Sequence, residues 1–483
     1  MGHAIRFCGS ITRLPWWGVV LMWFGVQPCS HAMAVFSRIY HQPCQQCHTD
    51  VPRLNAAGQV FLEQGYQRPE DFEDDNGVVG LEQLKNMLSF RFKAQASQSR
   101  YELPPATPAA FQSAIPQRFD IDIGGSLLKD ISLGLRTTYG KDSEERFKID
   151  RVVLSFLNLG PIANAVNFRV GRFDPSFLYV YPTQRSLWEN LTVEADRRLV
   201  VPRVQRIGIA PLAFTHKFYG LSLGRPRYNT HEYALTLTDL SLYHVPAQVG
   251  GAVYGRPWPG QGGFLYEAGF VQNAKANALS TRLDFYAMVR YDFSSQTGTN
   301  FELAAYQYVA KDAAIATLNL GTDIVYDALG PTDIISSGVA LHTVWEPYEL
   351  FVAYTLDHME EPRFNNSSAA TSTWESRASG LSVEINRRIL PQLLATLRYD
   401  TLSPGGLKYL PMSEDADQFQ INIWNGWLAV AARYYLKPNI SFYAAWHLNR
   451  TPIESRLPAS FGGGIHWSSN TRDVFVFNTE ISF

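Results

Sequence analysis

The chain has 483 residues, of which 18% are charged and 13% aromatic, with 24 Tyr, 29 Phe and 11 Trp. That is too aromatic and too sparsely charged for a disordered chain, and 42 basic against 44 acidic side chains exclude the basic excess of a nucleic-acid binder. Beyond residue 34 no stretch approaches the roughly 18 apolar residues of a membrane helix, which leaves a large soluble protein or a transmembrane β-barrel.

Residues 1–34 read as a signal peptide. Arg6 and Arg13 flank and precede an apolar run from Trp16 to Val26, and Ala32-Met33-Ala34 offers a small-residue cleavage site. The run is short for a membrane anchor, so the mature chain is expected to begin at Val35 after export. Cleavage removes Cys8 and Cys29 and leaves Cys44 and Cys47.

These two stand in Cys44-Gln45-Gln46-Cys47-His48, the C-x-x-C-H order of c-type haem attachment. The chemistry needs that order because two thiols add to the porphyrin vinyl groups, and the next imidazole then lies under the iron as proximal ligand. A zinc site would require two more ligands at suitable spacing, and none follows nearby. A thioredoxin-type motif would require a βαβ context, and a disulfide over two intervening residues leaves His48 without a role. The expected cofactor is one covalent haem c on Cys44, Cys47 and His48.

The haem segment is expected over residues 35–87. Asn55 is a suitable N-cap for a helix reaching Gln64, with Gly65 as its C′ residue. Leu54, Ala57, Phe61 and Leu62 are its expected apolar face, and Gly58 is a point where backbone could approach the porphyrin. Leu81, Leu84 and Leu88 suggest a second short helix. So small a segment cannot bury a self-sufficient core, so it needs the haem as core or a larger body to dock in. For the sixth iron ligand the candidates are Met87 and His41, beside an open site; thioether coordination raises the potential and a second imidazole lowers it. The acidic run from Glu70 to Asp75 reads as a solvated face or as an attraction for a basic partner.

Residues 88–483 read as an antiparallel barrel. In the clearest strand Leu283, Phe285, Ala287, Val289, Tyr291 and Phe293 share one face, and Arg282, Asp284, Tyr286, Met288, Arg290 and Asp292 share the other. Apolar-out, polar-in alternation suits lipid outside and water inside. Turns are expected at Glu346-Pro347-Tyr348, around Pro391 and at Lys437-Pro438-Asn439, and longer polar loops around 174–200, 253–263, 359–378 and 402–416. The last strand alternates Phe475, Phe477 and Ile481 with Asn478, Glu480 and Ser482 and closes on Phe483, which resembles the sorting signal of bacterial outer-membrane proteins. A sheet of this size must close to hide its edges. At roughly 24 residues per strand and connection it gives about 16 strands, with 14–18 as the bracket, around an aqueous lumen. The fold class is therefore an all-β transmembrane barrel with a small α-helical c-type haem segment.

An exported chain with one C-x-x-C-H segment leading into a barrel resembles the fused monohaem cytochrome–porin family of the bacterial outer membrane. The motif likeness covers Val35-Phe36-Ser37-Arg38, Cys44 to His48, and Pro52-Arg53-Leu54-Asn55-Ala56-Ala57-Gly58-Gln59-Val60-Phe61 followed by Gly65-Tyr66. Iron-oxidising members typically carry Gln-Thr-Gly after the arginine, where this chain has Ile39-Tyr40-His41. The resemblance implies outer-membrane electron transfer from an extracellular donor such as iron(II) to periplasmic electron carriers, an iron(II):cytochrome c oxidoreductase activity. The alternatives are a solute porin whose haem segment is a plug or sensor, and outward transfer to an extracellular acceptor.

Overall fold

The computed structural model describes residues 36, 39–42, 46–50, 53–68, 87–101, 110–140, 147–173, 222–223, 235–236, 248–258, 263–272, 283–294, 299–313, 318–319, 325–328, 332–359, 363–366, 371–373, 376–405, 420–422, 425–437, 439–449, 454–456, 466–467 and 471–482. The signal peptide, Cys44, the run from Glu70 to Asp75 and Phe483 lie outside them.

One sheet dominates. Its strands are β1 (Leu88–Tyr101), β2 (Ala110–Leu128), β3 (Ile131–Gly140), β4 (Phe147–Phe156), β5 (Asn167–Phe173), β6 (Gln248–Gly255), β7 (Gly263–Gln272) and β8 (Leu283–Ser294). They continue with β9 (Asn300–Ala313), β10 (Thr332–Trp345), β11 (Tyr348–Met359), β12 (Ser376–Leu390), β13 (Leu393–Gly405), β14 (Asn425–Lys437), β15 (Ile440–Asn449) and β16 (Thr471–Ser482). Each pairs antiparallel with the next, and β16 returns to β1 with Phe477 opposite Ala96, so the 16 strands form a closed barrel. Closure satisfies the backbone of both edge strands, which a bilayer requires. Among the described residues no helix is long and apolar enough to cross a membrane.

The alternation expected for β8 is present residue by residue. Leu283, Phe285, Val289, Tyr291 and Phe293 are exposed on the outside, while Asp284, Tyr286, Met288 and Arg290 are buried inside. The same division runs round the wall, with Leu303, Val339, Leu397, Val430 and Phe475 outside and Glu302, His342, Glu349, Glu384 and Glu480 inside. An apolar exterior around a polar lumen is the arrangement of an outer-membrane barrel.

The turns at 346–347 and 391–392 fall where expected, and so does the break between Lys437 and Ile440. All three lie at the end where β1 begins and β16 ends. The expected loop at 253–263 is a correction: residues 253–255 complete β6, and the link to β7 belongs to this same short-turn end. Val253, Tyr254 and Gly255 pair with Ala268, Glu267 and Tyr266 of β7, so the hairpin ladder takes up the start of the expected loop. The connection 157–166 is the elaborate one, pinned by Asn158, Asn164 and Asn167 through side-chain hydrogen bonds.

Candidate functional site

The described part of the N-terminal segment lies inside the short-turn end of the lumen, because its partners are the inward-facing side chains of the wall. Its helix, α1 (Ala56–Glu63), has Asn55 as N-cap and Gln64 as C-cap, and Gly65 follows with φ of 63°. This is the helix the sequence outlined. Its buried face differs. Leu54 is buried, but Ala57 is exposed and the buried positions are Gly58 and Gln59. The surroundings explain the difference: α1 faces the polar lumen side chain Glu302 at Gln59 and the Cys47 backbone at Gly58.

The loop of Gln46, Cys47 and His48 rests on the N-terminus of α1. His48–Asp50 pairs antiparallel with Arg53–Leu54, placing His48 opposite Leu54. The Asn55 amide N–H donates to the Cys47 carbonyl at 2.9 Å, and Asn55 Nδ2 donates to the Gln46 carbonyl at 3.0 Å. Asn55 Oδ1 accepts from the Gly58 N–H at 3.0 Å. Gly58 packs so closely that a Cβ there would collide with the Cys47 carbonyl oxygen. That glycine therefore admits the loop's own backbone. His48 is 9% exposed, and burial pushes the Cys47 thiol above its usual pKa while the Arg68 guanidinium pulls it down.

Docking of α1 to the wall is ionic. Glu63 accepts from Arg256 and, at 3.0 Å, from Arg290; Asp292 joins the same two guanidiniums at 2.7 and 2.9 Å. The Tyr254 hydroxyl donates to the Glu63 carbonyl at 3.1 Å, satisfying a backbone group at the helix C-terminus. Gln59 Nε2 reaches Glu302 at 3.3 Å. Glu302 lies 3.3 Å from His342 Nδ1, whose Nε2 is 2.7 Å from Glu349. Beyond the helix, Gln67 donates to the Leu128 and Ile131 carbonyls and accepts from the Asp130 N–H, all at 3.2 Å.

Apolar contacts complete the seat. Phe36, Tyr40, Phe61 and Tyr66 form an aromatic cluster with ring centroids 5.1 to 5.9 Å apart. Arg68 lies 4.0 Å over the Tyr40 ring. Tyr66 lies over Gly124 of β2, where burial raises its hydroxyl to about 12. A side chain on Gly65 would strike Ser132 and Leu157, so its positive φ and its contact with the wall both call for glycine.

Of the sequence-selected residues, Cys47 and His48 are brought together on the N-terminus of α1, while Cys44 lies outside the described residues. Met87 is 6% exposed, and its Cγ and Cε lie 3.0 Å from where a Cβ on Gly125 of β2 would be. Leu88 opens β1, so it takes no part in the second short helix, whose positions 81–86 lie outside the described residues. His41 is exposed with φ of 49°. Sequence reasoning passed over Gln59, Glu63 and Gln67. The four-residue spacing of Gln59 and Glu63 marks one polar helix face, the signal that could have found two of them.

The chain matches no family model and no curated protein. Among solved structures it is similar to a loop-deletion mutant of OmpT, an outer membrane protein of Vibrio cholerae, at 10% identity and a TM-score of 0.44, over 85% of this chain and 100% of that one. It is also similar to an anion-selective porin from Comamonas acidovorans, at 12% identity and a TM-score of 0.44, over 82% and 98% of the two chains. The outer membrane channel DcaP of Acinetobacter baumannii aligns at 10% identity and a TM-score of 0.43, over 82% and 96%. The barrel assignment itself rests on the strand pairing.

The residues present suit a c-type haem. The donor set is two thiols and an adjacent imidazole, Cys47 forms no disulfide among the described residues, and His48 is buried on a braced loop.

Proposed function

We propose that this chain is an outer-membrane channel-type barrel whose lumen segment carries one covalent haem c, and that it moves electrons across the membrane. The observation that carries the reading is the C-x-x-C-H loop braced on a helix that is itself ion-paired to the lumen wall. In barrels of this kind short turns face the periplasm, so the segment sits at the periplasmic end. A bilayer insulates, and a covalently held redox centre inside the barrel shortens the path to a soluble carrier.

When bound, haem c supplies a one-electron iron(III)/iron(II) couple. Cys44 and Cys47 would tether it by thioethers and His48 would be the proximal ligand. Met87 is the proposed distal ligand, with His41 or an open site as the alternatives; its packing on Gly125 equally suits a purely structural side chain. Iron(II) is the leading donor, because its oxidised product is poorly soluble at neutral pH and is best left outside. Periplasmic electron carriers would be the partners on the other side.

A second reading is a solute porin closed by the segment. The polar lumen wall favours it, and so does a closed barrel of 16 strands taken alone. One set of measurements on purified protein separates the two. Electron transfer predicts a denatured mass exceeding the chain from Val35 by one haem, and reduction by iron(II) in a redox titration; Met87→Ala should then shift the midpoint potential. The porin reading, in which the haem segment is a plug or sensor, predicts no reduction by iron(II) and a solute conductance that persists or rises on deleting residues 35–87. Outward flow would appear as oxidation of the reduced protein by extracellular acceptors with no reduction by iron(II).

A further inference from the structure

Asn55 makes more contacts than a helix cap needs. A capping side chain has only to accept from one of the orphan N–H groups of the first turn, and Asn55 Oδ1 does so from Gly58. The other end of the same amide donates to the Gln46 carbonyl, nine residues earlier, and the Asn55 backbone N–H donates to the Cys47 carbonyl. The two partners fix which end of the amide is which, since an N–H must face Oδ1 and a carbonyl must face Nδ2. The missing side chain at Gly58 leaves room for the same Cys47 carbonyl oxygen. Gln46 and Cys47 are thereby held by their carbonyls against Asn55, with Gly58 close beside the second, immediately before His48.

We propose that Asn55 is a positioning residue for the C-x-x-C-H loop: its side-chain N–H group fixes the backbone carrying Cys47 and His48, and Gly58 leaves room for the Cys47 carbonyl. This rests on the haem c reading for its consequence and on the hydrogen bonds for its geometry. The position of the loop within the lumen is a separate matter, set by Glu63 at the other end of α1. Local geometry and docking are therefore divided between the two ends of one helix of 8 residues.

Aspartate at position 55 separates capping from positioning. It accepts from Gly58 as well as asparagine does, and its charge suits the helix N-terminus, but it cannot donate to Gln46. In the full-length protein purified from membranes, Asn55→Asp should leave the amide-exchange protection of residues 59–63 unchanged. It should speed exchange across residues 46–50 by roughly three- to tenfold, the worth of one hydrogen bond. It should also shift the haem midpoint potential and alter the haem absorption spectrum, as Gly58→Ala should. Asn55→Ala should loosen both stretches. Unchanged exchange across 46–50 in Asn55→Asp would overturn the proposal, and so would faster exchange with an unaltered spectrum and potential. If the wild-type protein carries no haem, the electron-transfer reading falls, and the exchange comparison still decides whether Asn55 clamps the loop.

Discussion

Along β8, every second side chain turns inward, and two of its polar members find partners on neighbouring strands: Tyr286 donates to Glu267, and Asp284 accepts from Tyr308 at 2.7 Å. Helix α1 buries polar groups too, but the side chains of Gln59 and Glu63 find theirs, among the described residues, across the lumen from the helix. The wall is organised by a two-residue period repeated in 16 strands, each supporting the next. The segment has no such repeat and holds its place through a few long-range contacts. A change in the wall should therefore act on assembly, and a change in the segment on occupancy of the lumen.

The largest expected effect is on the lipid face. Val289→Arg, midway along β8 on the exterior, should lower barrel stability by roughly 2–4 kcal/mol, read as lost heat-modifiable mobility and a lower urea midpoint. The same substitution at exposed Ala57 should stay within about 0.5 kcal/mol. Equal losses at both sites would remove the distinction between wall and segment.

Next comes the ionic latch. Glu63→Gln deprives Arg256 and Arg290 of one carboxylate but leaves them Asp292. The cost should therefore fall below the roughly 3–5 kcal/mol of breaking an isolated buried pair, at about 1–3 kcal/mol. It should appear as higher conductance in planar bilayers with unaltered barrel assembly; unaltered conductance would show that the latch does not hold the segment.

The smallest effect belongs to Gln67→Ala. It removes three hydrogen bonds to the β2–β3 turn, which lies at the rim and is reached by water. A loss of about 1–2 kcal/mol should show as faster amide exchange at Asp130 and Ile131, with conductance close to wild type. A conductance rise matching that of Glu63→Gln would make the two anchors equivalent.

The sequence by itself determined the wall. Alternation in residues 283–293, the turns at Pro347, Pro391 and Pro438, and the need to close a sheet of this length were sufficient for a barrel of about 16 strands, because a period of two is local and repeats many times. It also determined α1, whose cap and C′ residue are neighbours of the helix they bound, and it singled out Cys47 and His48 by spacing. Tertiary structure alone decided which face of α1 is buried and what Gly58 is for. Glu63 and Arg290 are far apart in the chain and become partners only when closure of the barrel places β6 and β8 around the helix. Polar residues at helical spacing look the same whether water or a lumen wall will satisfy them, and hydrogen bonding to charged groups is decided by whichever partner the fold brings within about 3 Å.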